Sequence, residues 1–231
     1  MGYDNIFYGI DIETDTTGAV DPAVAAIRTV ALSGVAFDEE FTGPEPELLR
    51  ALNARLAGLP AGVLATWNGA TFDLPYIADR ARVLGVELDL RLCRDRSLTF
   101  GRTLLPGHGS AYRGVWGDHG HIDAFRLYGH AGGPSVWSSL RTIGRLVGLG
   151  ATPTVIRRHD DLTNEALHAH AKSDARLARV LAERRRVAAL RLVDQVEAAE
   201  VQPVSVAEAR LARQARQAAG TDPAYQPVVA V

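Results

Sequence analysis

Six side chains able to do chemistry fall in three short stretches. Asp11 and Glu13 lie in GIDIET, Asn68 and Asp73 in WNGATFD, and His170 and Asp174 in HAHAKSDA. Asp11 and Glu13 are two residues apart on a predicted strand, so both carboxylates point to one face, roughly 7 Å apart along it. Ile10 and Ile12 then point the other way, into a core. Two acids so placed repel one another unless a cation lies between them, and oxygen-preferring divalent ions such as Mg²⁺ or Mn²⁺ meet that need. Taken singly, each stretch also has a bland reading. D-x-E fits a solvated strand end, Phe72 fits a core, and Asp73 fits an acid in the first turn of a helix.

The third stretch is more pointed once it is placed on a helix. With Asp174 at the centre of a face, Leu167, His170, Ala171, Leu177, Ala178 and Leu181 fall on the same side. His168, Lys172, Arg176, Arg179 and Glu183 fall opposite. His170 and Asp174 thus interrupt an apolar stripe, where a carboxylate is costly unless it is paired or binds metal. His168 is expected to face solvent.

The elements that must position these groups can be read in outline. Ile6 to Asp11 is a short apolar strand opening into polar DIETDTTG, with further strands expected over Thr29 to Phe37 and near Glu40. Leu48, Leu49, Leu52 and Leu56 give Pro46 to Leu56 helical spacing. GVLATWNG reads as a buried strand that leads into a helix from about Ala70 to Leu84. Residues 85–121 read as loop-rich. IDAFRLYGH is an apolar segment, and Trp137 to Leu146 reads as a helix. Thr163 is a predicted N-cap for a long helix reaching the Arg184–Arg186 cluster, with Glu165 in its first turn. A further helix over Val206 to Ala218 precedes a tail expected to be flexible. The order of elements predicts an α/β fold with a mixed central sheet.

Bulk composition narrows the function classes. The chain has 231 residues, 47% of them hydrophobic and 23% charged, as in ordinary globular proteins. No apolar run approaches the roughly 18–20 residues of a membrane span, and no membrane partner is expected. The start shows no secretory signal pattern. A single cysteine, Cys93, suits a reducing, cytoplasmic setting. The formal net charge of -2 gives no global attraction to nucleic acid, so a polyanion would have to be held through bound metals and local arginines.

Taken together and in order, DIE at 11–13, NGATFD at 68–73 and HAKSD at 170–174 resemble the three motifs of DEDD-type 3′-5′ exonucleases of the RNase H-like superfamily. TWNGATFDLPYIADRARVLG and HIDAFRLY look most like the exonuclease domains related to family B polymerases. The resemblance covers about residues 5–190. It implies a division into an exonuclease domain over 1–195 and a C-terminal helix and tail over 196–231.

The resemblance also implies hydrolysis of a terminal phosphodiester by two divalent ions, Mg²⁺ or Mn²⁺. Asp11, Glu13 and Asp174 would hold the first, and Asp11 with Asp73 the second. Thr14 would hold the terminal nucleotide, and Asn68 and Phe72 would contact the strand. One departure concerns the base. The family carries Y-x3-D or H-x4-D in its third motif, whereas this chain has H-x3-D, so His170 stands at the tyrosine position and Ala169 at the histidine position. His170 is the expected base, with His168 as the substitute.

The expected substrate is the 3′ end of a single strand, DNA before RNA, with a polymerase or repair protein as a further partner. Two other readings stand beside it: an exoribonuclease or oligonucleotide hydrolase, and a non-catalytic RNase H-like module binding nucleic acid or a polymerase. Asp123 is either a further acid helping the site or a cap on the segment that follows it, with the structural role expected. His108, His119, His121 and His130 lack the spacing and cysteine partners of a zinc site. Arg91, Arg94, Arg96, Arg102 and Arg113 are either solvated loop charge or the lining of a substrate path.

Overall fold

The computed structural model describes residues 6–15, 20–95, 105–128, 139–149 and 163–193, together with Leu211, Gln214 and Ala215. Strand β1 (Phe7–Thr14) is central. It pairs antiparallel with β2 (Ile27–Ser33), which pairs with β3 (Asp38–Phe41). On its other side β1 runs parallel to β4 (Val63–Thr66), and β4 runs parallel to β7 (His119–Asp123). Antiparallel β6 (Ala111–Trp116) and β5 (Leu90–Asp95) complete a seven-stranded sheet in the order β3-β2-β1-β4-β7-β6-β5. The α/β mixed sheet expected from the sequence is the one found.

Period-two alternation along β1 divides the core. Tyr8, Ile10 and Ile12 pack with Leu48, Leu49, Leu52 and Leu56 of α1 (Glu45–Ala57) and with Tyr76 and Ile77 of α2 (Asp73–Leu84). The opposite face lies under the long helix α5 (Asn164–Arg184). That helix approaches closely because β1 carries a glycine there. A Cβ at Gly9 would lie 1.8 Å from the carbonyl oxygen of Ala175. Ala31, Ala171 and Ala175 continue the small-residue contact. Short helices complete the chain: α3 (Phe125–Tyr128), α4 (Leu140–Leu146) and α6 (Arg186–Leu192).

Several expectations need correction. Strand β1 continues to Thr14, so DIET is strand rather than the start of a loop. Residues 85–121 contain β5, β6 and part of β7. Arg94 and Asp95 together in β5 and Arg113 with Gly114 in β6 obscure these strands in the sequence, yet Trp116 pairs with His119 across a two-residue turn opened by Gly117 at φ +54. Helix α2 starts at Asp73 rather than Ala70, because Asn68 adopts φ +66 and residues 68–72 form turns on its carbonyl. Arg179 was placed on the polar side of its helix. It is instead buried, with Nε donating to Ser33 Oγ and a second bond to Glu183.

The Thr163 cap is present, its hydroxyl accepting from Ala166 N at 3.3 Å. Most of the helix expected over 206–218, and the tail, lie outside the described residues. So do His130, Arg96 and Arg102. No helix among the described residues is long and apolar enough to cross a membrane.

Candidate active site

The carboxyl ends of the parallel strands β1, β4 and β7 meet at one edge of the sheet, the usual place for a ligand in such an arrangement. Beside them lies a cleft of about 500 Å³. Asp11, Glu13, Thr14, Asn68, Phe72, Asp73, His170 and Asp174 all line it. Every site residue expected from the sequence is therefore brought to one place, from β1, from the β4–α2 junction and from α5.

Local structure explains how. Pairing between β1 and β4 ends at Gly9 and Ala65, after which β4 turns away. The N–H of Ile12 is left without a strand partner on that side, and Asp73 Oδ1 accepts its hydrogen bond at 3.2 Å. Asp73 is placed there by the turn at Asn68, and that turn is fixed by Asp123. The carboxylate of Asp123 is 1% exposed and accepts bonds from Asn68 N, Ala70 N and Phe125 N. Asp123 thus organises backbone, as expected, and does not line the cleft. On β1 the register shifts between Glu13 and Thr14, so Arg28 becomes an extra residue on β2. Thr14 bonds the hydroxyl of Tyr76, which in turn donates to Ala25 O at 2.8 Å.

The helix α5 supplies the remaining groups. His170 Nδ1 lies 2.9 Å from Glu13 Oε1 and 3.7 Å from Asp174 Oδ2. His168 is half-buried, 3.6 Å from Glu40 Oε1, and does not line the cleft. It is less exposed than expected, but the phase that separates the two histidines stands. Phe72 tilts against Tyr76 with ring centroids 5.5 Å apart, and Trp67 meets Phe125 edge-on at 5.5 Å. Trp67 Nε1 and Asn68 Oδ1 are buried beside the cleft without hydrogen-bond partners among the described residues.

Electrostatically the acids strain against one another. Loss of hydration, then Asp73, Asp174 and Glu13, push Asp11 well above the usual carboxylate range. Burial first, then Asp123, push Asp73 up to about 8. Burial also raises Asp174, opposed by His170 and by Arg141. Arg141 is the site residue that sequence reasoning missed. It comes from α4, and its Nη2 donates to Asp174 Oδ1 at 3.0 Å. Nothing in its spacing marks it, because Leu140, Ile143 and Gly144 are the buried face of that helix. Ser139, the α4 N-cap, also lines the cleft and was likewise unforeseen.

The donor set is all oxygen with one imidazole, which suits hard divalent cations. A cation between them would relieve the repulsion that raises these pKa values. As the side chains stand, no group of three or more such donors among the described residues forms a ready coordination sphere. Asp174 is turned to Arg141 and Asp73 to the Ile12 amide.

The other singled-out side chains are used elsewhere. His108 bonds Asp79 and Tyr112, His119 lies 2.9 Å from Leu56 O, and His121 lies 2.9 Å from Thr66 Oγ1. Arg91, Arg94 and Arg113 lie on β5 and β6 and do not line the cleft. Arg113 pairs with Asp95.

No protein-family model and no curated protein matches the sequence. Among solved structures, the family B DNA polymerase from the hyperthermophilic archaeon Pyrobaculum calidifontis is similar, with a TM-score of 0.58 at 18% identity. The match takes in 96% of this chain and 31% of the polymerase chain, so the protein spans about a third of the length of the structure it resembles. The mixed seven-stranded sheet and its flanking helices are therefore the RNase H-like fold, in a form also found within a family B DNA polymerase.

Proposed function

We propose that the protein is a metal-dependent 3′-5′ exonuclease that removes terminal nucleotides from single-stranded DNA. The observation that carries this reading is the convergence of Asp11, Glu13, Asp73 and Asp174, from three separate elements, on one cleft despite their mutual repulsion. By the resemblance to the exonuclease motifs, Asp11, Glu13 and Asp174 would hold one divalent ion, and Asp11 with Asp73 a second. Bound Mg²⁺ or Mn²⁺ would supply neutralisation of the phosphodiester and a water acidic enough to attack at neutral pH.

The chain's own residues do the rest. His170, held beside Glu13 through Nδ1, orients the attacking water and accepts its proton. Thr14, anchored on the Tyr76 hydroxyl, contacts the terminal nucleotide. Phe72 offers a ring face to a base, and stacking of this kind contributes roughly 1–3 kcal/mol per base. Asn68 lines the cleft and contacts the strand, and a small turn of its side chain would bring out Oδ1, which is buried without a partner among the described residues, to accept a hydrogen bond.

The test uses 3′- and 5′-labelled DNA and RNA oligomers with Mg²⁺ or Mn²⁺, beside an Asp11→Asn variant. Shortening from the 3′ end of DNA, dependent on metal and lost in the variant, is the expected result. Preferential shortening of RNA would make the protein an exoribonuclease with the same chemistry. No metal-dependent shortening would leave a nucleic-acid- or polymerase-binding module.

A further inference from the structure

The acids of the cleft are not left to balance one another. Arg141 reaches Asp174 at 3.0 Å, and the two side chains are only 16% and 14% exposed. Its charge also acts on Asp11, so one guanidinium offsets two members of the cluster. This placement is built into the packing of α4. Leu140 and Ile143 lie against Tyr128, Leu177 and Leu181. A Cβ on Gly144 would come within 2.9 Å of Leu177, so the glycine lets α4 settle on α5. With α4 seated over Leu177, Arg141 is directed at Asp174, three residues earlier on α5. Ser139 caps the helix from the cleft wall, its Oγ accepting from Thr142 N at 3.2 Å.

We propose that Arg141 is a built-in counter-cation that holds Asp174 until a divalent ion takes over that carboxylate, so that metal loading is a competition between ion and guanidinium. The proposal rests on the reading of Asp174 as a metal ligand. A guanidinium stays charged at every accessible pH, so it can yield Asp174 only by swinging aside. Arg141 does not itself line the cleft, but its long side chain, 16% exposed beside Asp174, can turn about its methylene bonds. The competition has two opposite effects. Arg141 stabilises the acid cluster before metal arrives, and it weakens the net affinity of the site for metal.

The test is Mn²⁺ titration of the full chain, following free Mn²⁺ by its electron paramagnetic resonance, with thermal unfolding in EDTA alongside. Arg141→Gln is expected to bind Mn²⁺ roughly three- to tenfold more tightly than wild type, the range a partly buried ion pair would account for. Its melting temperature in EDTA should fall, and the gap to wild type should narrow at saturating Mn²⁺. Arg141→Lys, which keeps the charge but loses the fork, should fall between the two. If the glutamine variant does not fold, the lysine variant decides the matter by the same criterion.

Arg145→Gln removes a charge one turn further along α4 and should leave the affinity unchanged. Equal or weaker Mn²⁺ binding in the Arg141 variants overturns the proposal, as does equal tightening in Arg145→Gln. Both of those results leave the nuclease reading intact. Failure of the wild-type chain to bind Mn²⁺, or binding unaltered by Asp11→Asn, removes the nuclease reading and this proposal with it.

Discussion

His170 and His168 are two residues apart and chemically identical, yet their surroundings give them different work. His170 lies among Glu13 and Asp174 inside the cleft, while His168 faces Glu40 on the neighbouring strand edge. Replacement of His170 by Ala is expected to lower the turnover number about 10²–10⁴-fold, the range for loss of a general base, with a smaller effect on Mn²⁺ affinity. His168→Ala should change turnover by less than about twofold, since His168 lies outside the cleft and its half-buried contact with Glu40 is long, at 3.6 Å. Single-turnover cleavage assays at saturating Mn²⁺ check both. Interchanged effects would mean that the catalytic histidine is the outer one.

At the scale of elements, the decisive contact is the backbone-to-backbone approach of α5 to β1 at Gly9. A methyl group there would overlap the Ala175 carbonyl, which is backbone and cannot rotate away. Gly9→Ala is therefore expected to destabilise the protein by about 2 kcal/mol or more. It should also reduce activity in the surviving folded fraction, because Asp174 and His170 travel with the helix. Chemical denaturation and activity per folded molecule separate the two effects.

The same contact explains what could be read from the sequence and what could not. Periodicity was enough to put Asp11 with Glu13 and His170 with Asp174, because each pair shares one element. The resemblance to the exonuclease motifs brought Asp73 into the same group. Arg141 was invisible because its position follows from how α4 docks on α5, a tertiary fact with no local pattern. Strands β5 and β6 were missed because the alternation begun by Leu90, Arg91 and Leu92 fails at Cys93, Arg94 and Asp95, and because Arg113 and Gly114 interrupt β6.

For the whole molecule, the acid cluster ties stability to pH and to metal. Asp73 has a folded pKa of about 8 against an ordinary value of 3.8, so between those limits the folded state retains a proton that the unfolded state has lost. Stability in EDTA should accordingly rise as pH is lowered from about 8 toward 5. Asp73→Asn should flatten that slope, as thermal unfolding across the range would show. Mn²⁺ should reverse the trend, stabilising the protein most where the carboxylates are ionised. A melting temperature that climbs with pH in EDTA would contradict the burial of these charges.

The bulge beside Glu13 and Thr14 carries a different kind of consequence. Arg28, the extra residue on β2, is exposed and donates to Asn164 at the start of α5. Its side chain matters less than its being counted. Substituting it leaves the number of residues unchanged, whereas deleting it would restore even pairing and pull Ile27 and the chain before it one residue along β1. The DIET segment is thus not portable. Grafted onto another sheet, it would carry its carboxylates but lose the pairing at Thr14 unless the neighbouring strand were one residue too long.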